Sequence, residues 1–218
     1  MDTNSLLLIK EIIKHDTYEL RSLVGSDVRI IVDIGANTGI FSLYARILFP
    51  YARIIALEPA SLNFLELKKL GESLSIETHK LALGDGSSIQ LDCEEGAQAK
   101  IIGTGNIPTI RLENIPLKFN FDPHENIIWK IDCEGGEKFI CNNMRAEQVL
   151  KQSLQWGLEI HFDQTKWNNH NYTIWNKWLD SMHNDKCFYV KRRLIEKHGL
   201  GTVVCRNYIL RVLKDIVD

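Results

Sequence analysis

Short apolar runs, rich in β-branched residues, recur along the chain. Three of them, at 30–34, 54–57 and 127–131, are nearly continuous in apolar character. Runs of this kind predict strands that are buried on both faces of a parallel sheet. Two further segments, 75–82 and 154–160, also have the composition of strands.

Segments with helical spacing of apolar residues separate these predicted strands. Residues 40–48 form one such segment, and residues 64–70 form a second that we expect to end at Gly71. A third helix is predicted over 139–150, and residues 1–27 are predicted to form a helical cover. Strand and helix in alternation predict an α/β fold with a doubly wound sheet.

The alternation is interrupted at 86–126, which is rich in glycine and proline and predicts a β insertion in place of a helix. Its short predicted strands are 88–91, 100–102 and 107–112. The insertion could form a wall of a substrate pocket or be a surface hairpin. Residues 187–194 and 202–210 predict a final antiparallel strand pair. The length fits a single domain over 1–218.

A glycine-containing turn follows the first strand, in the sequence Asp33-Ile34-Gly35-Ala36-Asn37-Thr38-Gly39. Gly35 has no Cβ, so a ligand can approach the backbone closely, and the following helix offers unpaired N–H groups. Glu58 ends the second strand about twenty residues later, where a Rossmann-type fold places a carboxylate on two ribose hydroxyls. The alternative is a surface acid at a strand end. Together the features predict a nucleoside-binding site.

The spacing of the glycines argues against a dinucleotide cofactor. The second and third glycines of a Gly-x-Gly-x-x-Gly pattern are missing, which disfavours an NAD-dependent dehydrogenase. Asp33 lies two residues before Gly35, where an acid is unfavourable beside a pyrophosphate but favourable beside an ammonium group. S-adenosylmethionine carries an amine and a sulfonium, and therefore fits this turn better.

Four motifs occur in order between about residues 28 and 160. They are Val32-Asp33-Ile34-Gly35-Ala36-Asn37-Thr38-Gly39, Leu57-Glu58-Pro59, Ala82-Leu83-Gly84-Asp85 and Lys130-Ile131-Asp132-Cys133-Glu134-Gly135-Gly136-Glu137. Together they resemble the FkbM-type family of class I S-adenosylmethionine-dependent methyltransferases. The last motif is the most diagnostic, because generic class I methyltransferases lack it. The resemblance implies a Rossmann-like, mostly parallel sheet with a C-terminal antiparallel hairpin.

The resemblance and the charges together imply the cofactor contacts, with S-adenosylmethionine as cofactor and S-adenosylhomocysteine as product. Glu58 is expected to hold the ribose hydroxyls, and Asp132 to lie beside the sulfonium. Asp33 is expected to orient the turn and to attract the amine, directly or through water. Leu83, Gly84 and Asp85 are the expected adenine neighbours. The full set of expected cofactor residues is Asp33, Gly35, Ala36, Asn37, Thr38, Gly39, Glu58, Pro59, Leu83, Gly84, Asp85 and Asp132.

Methyl transfer to a hydroxyl requires that a general base or a metal ion assist the loss of its proton. The candidate catalytic residues are His161, Asp132 and Glu134; the imidazole of His161 would titrate near neutrality, but it could equally be a half-buried histidine at a strand end. Asp132, Glu134 and Glu137 could bind a divalent cation, whereas Glu134 and Glu137 could instead cap the following turn. Aromatic and amide residues at 167–175 would suit a sugar, or form the inner face of a helix.

The resemblance implies O-methylation of a hydroxyl on a small molecule or sugar, in glycan or natural-product biosynthesis. One alternative is N-methylation of a peptide or nucleotide. Another is a non-catalytic module that binds S-adenosylmethionine and scaffolds a partner. The acidic residues at 33, 58 and 132 argue against a degenerate site.

Composition adds limits on partners and compartment. The net charge of −2 provides no basic field, and an Asp/Asn-Pro-Pro-aromatic motif is absent, so nucleic acid is disfavoured as the acceptor. Five cysteines without a Cys-x-x-Cys pair indicate reduced thiols. The lack of a membrane-length apolar run or a signal-peptide layout predicts a cytoplasmic protein without membrane contact. The oligomeric state is left open.

Overall fold

A seven-stranded sheet forms the centre of the fold in the computed structural model, which describes residues 3–92, 101–161, 169–184, 188–195 and 200–207. The strands among these residues are β1 (Ile30–Ile34), β2 (Arg53–Leu57), β3 (Glu77–His79), β4 (Ala82–Leu83), β5 (Ser88–Leu91), β6 (Ile101–Ile110), β7 (Ile127–Ile131), β8 (Gln155–His161), β9 (Phe188–Ile195) and β10 (Leu200–Asn207). The central sheet has the order β3-β2-β1-β7-β8-β10-β9. A three-stranded sheet has the order β4-β6-β5.

The central sheet is parallel from β3 to β8, and β10 runs antiparallel to both of its neighbours. In the register, Val32 of β1 lies opposite Ile55 of β2 and Trp129 of β7. The doubly wound, mostly parallel sheet with a C-terminal antiparallel hairpin is therefore confirmed.

The helices cover both faces of the central sheet. They are α1 (Thr3–Ile9), α2 (Ile40–Leu48), α3 (Ser61–Leu74), α4 (Ile115–Lys118), α5 (Met144–Gln152) and α6 (Asn169–Asn184). A π-helical segment, Lys10–Lys14, continues α1, and 3-10 turns occur at Leu20–Leu23, Leu112–Asn114 and Glu137–Phe139. In the described part of the chain, no helix combines the length and the apolar character needed to cross a membrane.

Successive side chains of β1 point to opposite faces, as strand geometry requires, and enter two apolar cores. Ile30, Val32 and Ile34 pack in a core that includes residues of α5 and α6. Ile31 packs on the other face with residues of α2, α3 and the N-terminal segment. All five residues of β1 and of β7 are buried, which explains why these strands are nearly continuous in apolar character.

Several boundaries differ from the sequence-based expectations. The helix expected to end at Gly71 continues to Leu74 as α3, because Gly71 packs against β3; an added Cβ would lie 2.6 Å from Cγ2 of Thr78. The strand expected over 75–82 is divided into β3 and β4. The helix expected from 139 begins instead at Met144 in α5, where the side chain of Asn143 caps it.

The segment 86–126 is more varied than the predicted insertion. It contains β5 and a single ten-residue strand, β6, where two short strands were expected. The 3-10 turn and α4 follow within the same segment. The insertion thus combines strands with short helical turns, and β5 and β6 pair with each other through irregular register shifts.

Candidate active site

A cleft of about 840 Å³, including its part open to solvent, lies at the carboxyl ends of β1, β2 and β7. Ligands of open α/β sheets bind at this edge. The expected site residues that line the cleft are Gly35, Ala36, Asn37, Thr38, Glu58, Pro59, Leu83, Asp132 and Glu134. The structure therefore brings together the glycine turn and the ends of the two strands that flank β1.

The glycines of the turn have two different functions. At Gly35 the backbone has φ +75°, and an added Cβ would lie 1.6 Å from the carbonyl oxygen of Asp132. The sequence predicted that a ligand would approach the backbone closely at Gly35. In the structure, the backbone of Asp132 makes such a close approach. Gly39 has φ +94° and faces α3, where an added Cβ would lie 2.6 Å from Cδ2 of Leu70. Gly39 does not line the cleft.

Glu58 braces the glycine turn from the end of β2. Its Oε2 accepts a hydrogen bond from the backbone N–H of Asn37, and its Oε1 accepts one from Ala60, both at 2.8 Å. Asn37 adopts a left-handed φ of +52°, and its Oδ1 accepts from the N–H of Thr38 at 2.7 Å. Burial raises the pKa of Glu58, although the two backbone donors oppose this shift.

Lys130 lies between the turn and two acids. The side chain is 4% exposed, and its Nζ donates to the carbonyl oxygen of Gly35 at 2.5 Å. The same Nζ is 3.3 Å from Oδ2 of Asp132 and 3.4 Å from Oδ1 of Asp33. Burial alone would lower the pKa of Lys130, but the carboxylates of Asp132, Asp33 and Glu159 outweigh it and raise the pKa. Lys130 is therefore a buried cation that lines the cleft.

Sequence reasoning missed Lys130, although a signal for it was present. Asp33 and Lys130 occupy the fourth positions of the two apolar runs that form β1 and β7. The parallel register places these two residues directly opposite each other. Opposite charges at matching positions of two buried strands predict such a pair, because buried charges need partners.

Asp33 itself does not reach the cleft. It is fully buried, and its Oδ2 accepts from Oγ of Ser42 at 2.7 Å. Its Oδ1 accepts no hydrogen bond from the described residues, so its contact with Lys130 is an ion pair rather than a directed hydrogen bond. Burial raises the pKa of Asp33, with Lys130 and Ser42 opposing the shift. Asp33 therefore lies behind the wall of the cleft, and its attraction of the cofactor amine, directly or through water, stays a prediction.

Two of the expected adenine neighbours also lie outside the cleft. Gly84 packs against Thr109, and an added Cβ would lie 2.7 Å from Cβ of that residue. Asp85 is exposed, and its Oδ1 accepts from the N–H and the hydroxyl of Ser87. Leu83, together with Ala82 of the same motif, lines the cleft.

The acids after β7 divide into two types. Glu134 lines the cleft and has a left-handed φ of +46°. Glu137 is 2% exposed, and its Oε2 accepts from the N–H of Gly135 at 2.7 Å, which agrees with the structural role that the sequence allowed. Within the described residues, no group of three or more acids, histidines or cysteines could hold a metal ion.

Two segments close the cleft from outside the central sheet. Leu8 of α1 and Ile12 of the π-helical segment line it, as do Ile89 and Leu91 of β5. The N-terminal helices and the insertion thus both contribute walls. Burial, and after it the charge of Asp132, raises the pKa of Glu11, which places this acid in the electrostatic field of the site.

The expected acceptor side is only partly described. His161 is the last residue of β8 and pairs with Leu200, but its side chain lies outside the described part of the structure. Residues 167 and 168 also lie outside it, as do the side chains at 169–172. Trp175 and Trp178 form a T-shaped pair and pack on the core. These two rings therefore belong to the inner face of α6.

Comparisons with known proteins agree on one class. The chain is 31% identical over 120 residues to the methyltransferase sdnD of Sordaria araneosa, a match that covers 54% of this chain and 40% of that protein. The chain thus spans less than half the length of this relative. No protein-family model matches the chain.

Solved structures show the same fold at low sequence identity. The methyltransferase domain of METTL16 superposes with a TM-score of 0.53 at 13% identity, over 89% of this chain and 66% of that one. An rRNA methylase from Streptococcus thermophilus superposes with a TM-score of 0.51 at 12% identity, over 89% and 96% of the two chains. The fold is therefore that of the class I methyltransferases, as the sequence predicted, and the partial sequence match is to a methyltransferase. Both findings agree with the predicted enzyme class and with S-adenosylmethionine as its cofactor.

Proposed function

We propose that the chain transfers the methyl group of S-adenosylmethionine to a hydroxyl oxygen of a small molecule or sugar, as its resemblance to the FkbM-type family implies. One observation carries the proposal. A single cleft gathers the glycine turn, the Glu58 carboxylate and the Asp132 carboxylate at the carboxyl ends of neighbouring parallel strands. Residues from each of the four motifs line this cleft.

The residues present suit the cofactor. Each carboxylate oxygen of Glu58 is engaged by one backbone N–H, and an ionised carboxylate can accept about four hydrogen bonds. The acceptor capacity that remains would serve the ribose hydroxyls. Leu83, Ile89 and Leu91 provide an apolar wall for a flat adenine ring. Asp132, whose side chain is 26% exposed, would lie beside the sulfonium.

The chemistry requires the acceptor to lose a proton. A lone pair of the hydroxyl oxygen forms the new bond to carbon, the carbon–sulfur electrons return to sulfur, and the hydroxyl proton is released to a base. Asp132 and Glu134 line the cleft and are candidates to hold that proton. His161, at the end of β8, remains the predicted alternative base.

The acceptor class is the finer part of the proposal. One structural neighbour is described as an rRNA methylase, so the expectation that disfavoured nucleic acid receives no support from the comparisons. The net charge of −2 and the apolar insertion wall favour a small acceptor over a polyanion. RNA is therefore the competing acceptor, and the cytoplasmic location stays a prediction.

Calorimetric titration of the purified chain with S-adenosylhomocysteine, with NAD as the control ligand, tests the cofactor site. Glu58→Ala should weaken binding on the order of 1.5–3 kcal/mol through the loss of charge-assisted hydrogen bonds. The matched control is Glu66→Ala, which removes an exposed acid of α3 that pairs with Lys69 and should leave binding unchanged. Equal affinities for the two variants would remove Glu58 from the site.

Transfer of a labelled methyl group then tests the acceptor class. Incubation with hydroxylated small molecules and sugars should give labelled product, whereas total RNA should not. Label in RNA and none in the hydroxylated panel would contradict the proposed acceptor and favour an RNA methyltransferase.

A further inference from the structure

Among the described residues that line the cleft, Lys130 is the basic one, and the others are acidic, neutral polar or apolar. Its ammonium contacts three groups from two strand ends: the carbonyl of Gly35, the carboxylate of Asp132 and the carboxylate of Asp33. Five acids from five segments interact electrostatically with Lys130. They are Asp33 on β1, Asp132 after β7, Glu159 on β8, Glu58 after β2 and Glu11 in the π-helical segment.

The ion pair with Asp33 does not by itself explain the position of the Lys130 ammonium. The directed hydrogen bond of the ammonium goes to Gly35, and the contact with Asp132 is at least as short as the contact with Asp33. Asp33 also has a second partner, Ser42. The ammonium therefore lies where it offsets the charge of Asp132, the acid that faces the cleft.

We propose that Lys130 is a positioning residue that sets the charge of the cleft wall beside the reacting sulfur. The inference rests on the proposed function, in which the sulfur is a cation before transfer and a neutral thioether afterwards. A carboxylate at the wall without its ammonium would hold the cationic reactant more tightly than the neutral product. Such ground-state stabilisation raises the barrier to transfer, because only interactions stronger in the transition state accelerate it. Lys130 limits that effect through Asp132.

The test compares the preference for S-adenosylmethionine over S-adenosylhomocysteine in matched variants. Lys130→Met alone would leave Asp33 as a buried carboxylate without its cation, which is strongly destabilising. Asp33→Asn is therefore the reference, because its amide oxygen can still accept from Ser42 while Lys130 remains beside Asp132. The test protein is the double variant Asp33→Asn/Lys130→Met, with thermal unfolding used to check that each protein folds.

Both ligands are titrated by calorimetry into each variant. In the double variant the preference for S-adenosylmethionine should rise by about tenfold, the order expected when one unit charge is removed nearby in a partly buried site. Adding Asp132→Asn to the double variant should return the preference towards that of Asp33→Asn, because the net charge at positions 130 and 132 is then zero again. A role in stability alone would weaken both ligands equally and leave the ratio unchanged.

The outcomes separate this inference from the proposed function. An unchanged ratio in the double variant, with both ligands still bound, overturns the role of Lys130 and leaves the cofactor site intact. A raised ratio that persists after Asp132→Asn also overturns it, since the effect would then not act through Asp132. Absence of binding in the wild-type chain would instead refute the cofactor site itself.

Discussion

Gly35→Ala tests the contact between the glycine turn and the end of β7 most directly. An added Cβ at this position would lie 1.6 Å from the carbonyl oxygen of Asp132 and 2.7 Å from its carbonyl carbon. The substituted residue would also have to keep φ at +75°. The change therefore imposes a conformational cost and a steric overlap at one position.

The two costs can be estimated separately. A side chain in the left-handed region costs about 1–2 kcal/mol. Overpacking usually costs about 1–3 kcal/mol, because neighbouring side chains move aside. Here the neighbour is a backbone carbonyl whose residue is also held by its own N–H, which donates to Ile34 at 3.0 Å. We therefore expect a total loss of at least about 3 kcal/mol, a large share of a typical stability of about 5–15 kcal/mol.

Gly25→Ala is the matched control. Gly25 has a similar φ of +87°, but an added Cβ there would have no atom within 4 Å. Urea titration of both variants should show only the conformational cost at Gly25 and the additional steric cost at Gly35. Gly35→Ala should also weaken binding of S-adenosylhomocysteine, because the overlap displaces Asp132. Equal destabilisation of the two variants would refute the packing of Asp132 on the turn.

Glu58 and Asn143 provide two further predictions. Burial raises the pKa of Glu58 above its ordinary 4.5. Protonation of Glu58 therefore contributes stability below pH 4.5, and this contribution is lost as the pH rises through the raised pKa. Glu58→Gln should therefore lose less stability than the wild type as the pH rises above 4.5 in urea titrations; parallel profiles would contradict the shift. Asn143→Ala removes the cap of α5 and should cost about 1 kcal/mol of stability, with unchanged affinity for S-adenosylhomocysteine.

The central strands were predictable because a strand buried on both faces has a nearly continuous apolar sequence. β1 and β7 lie between neighbouring strands and under helices, so nearly every residue is apolar. The turn after β1 was predictable for a related reason, since the left-handed conformations at Gly35 and Gly39 favour glycine. The sequence therefore indicated both the sheet and the edge at which the cleft forms.

The partners of the site residues were less predictable, because they depend on pairing between distant strands. Sequence reasoning considered Asp33 in relation to the cofactor and missed its partner Lys130, which the register of β1 with β7 places beside it. Gly71 shows the same limitation, since its close contact with Thr78 explains a glycine inside α3 that spacing alone marks as a helix end. Contacts of this type require the three-dimensional register.

The acids of the four motifs consequently divide by what holds them rather than by their place in the sequence. Asp33 and Glu137 are buried and engaged by the protein itself, so their substitution should reduce ligand affinity only together with stability. Asp132 and Glu134 line the cleft, and Asp132 also pairs with Lys130, so their substitution should change ligand affinity directly. Glu58 belongs to both groups, because it holds the turn with two hydrogen bonds and also lines the cleft. An acidic residue in one of these motifs therefore indicates first that it stabilises the site. It indicates contact with the cofactor only where its carboxylate reaches the cleft.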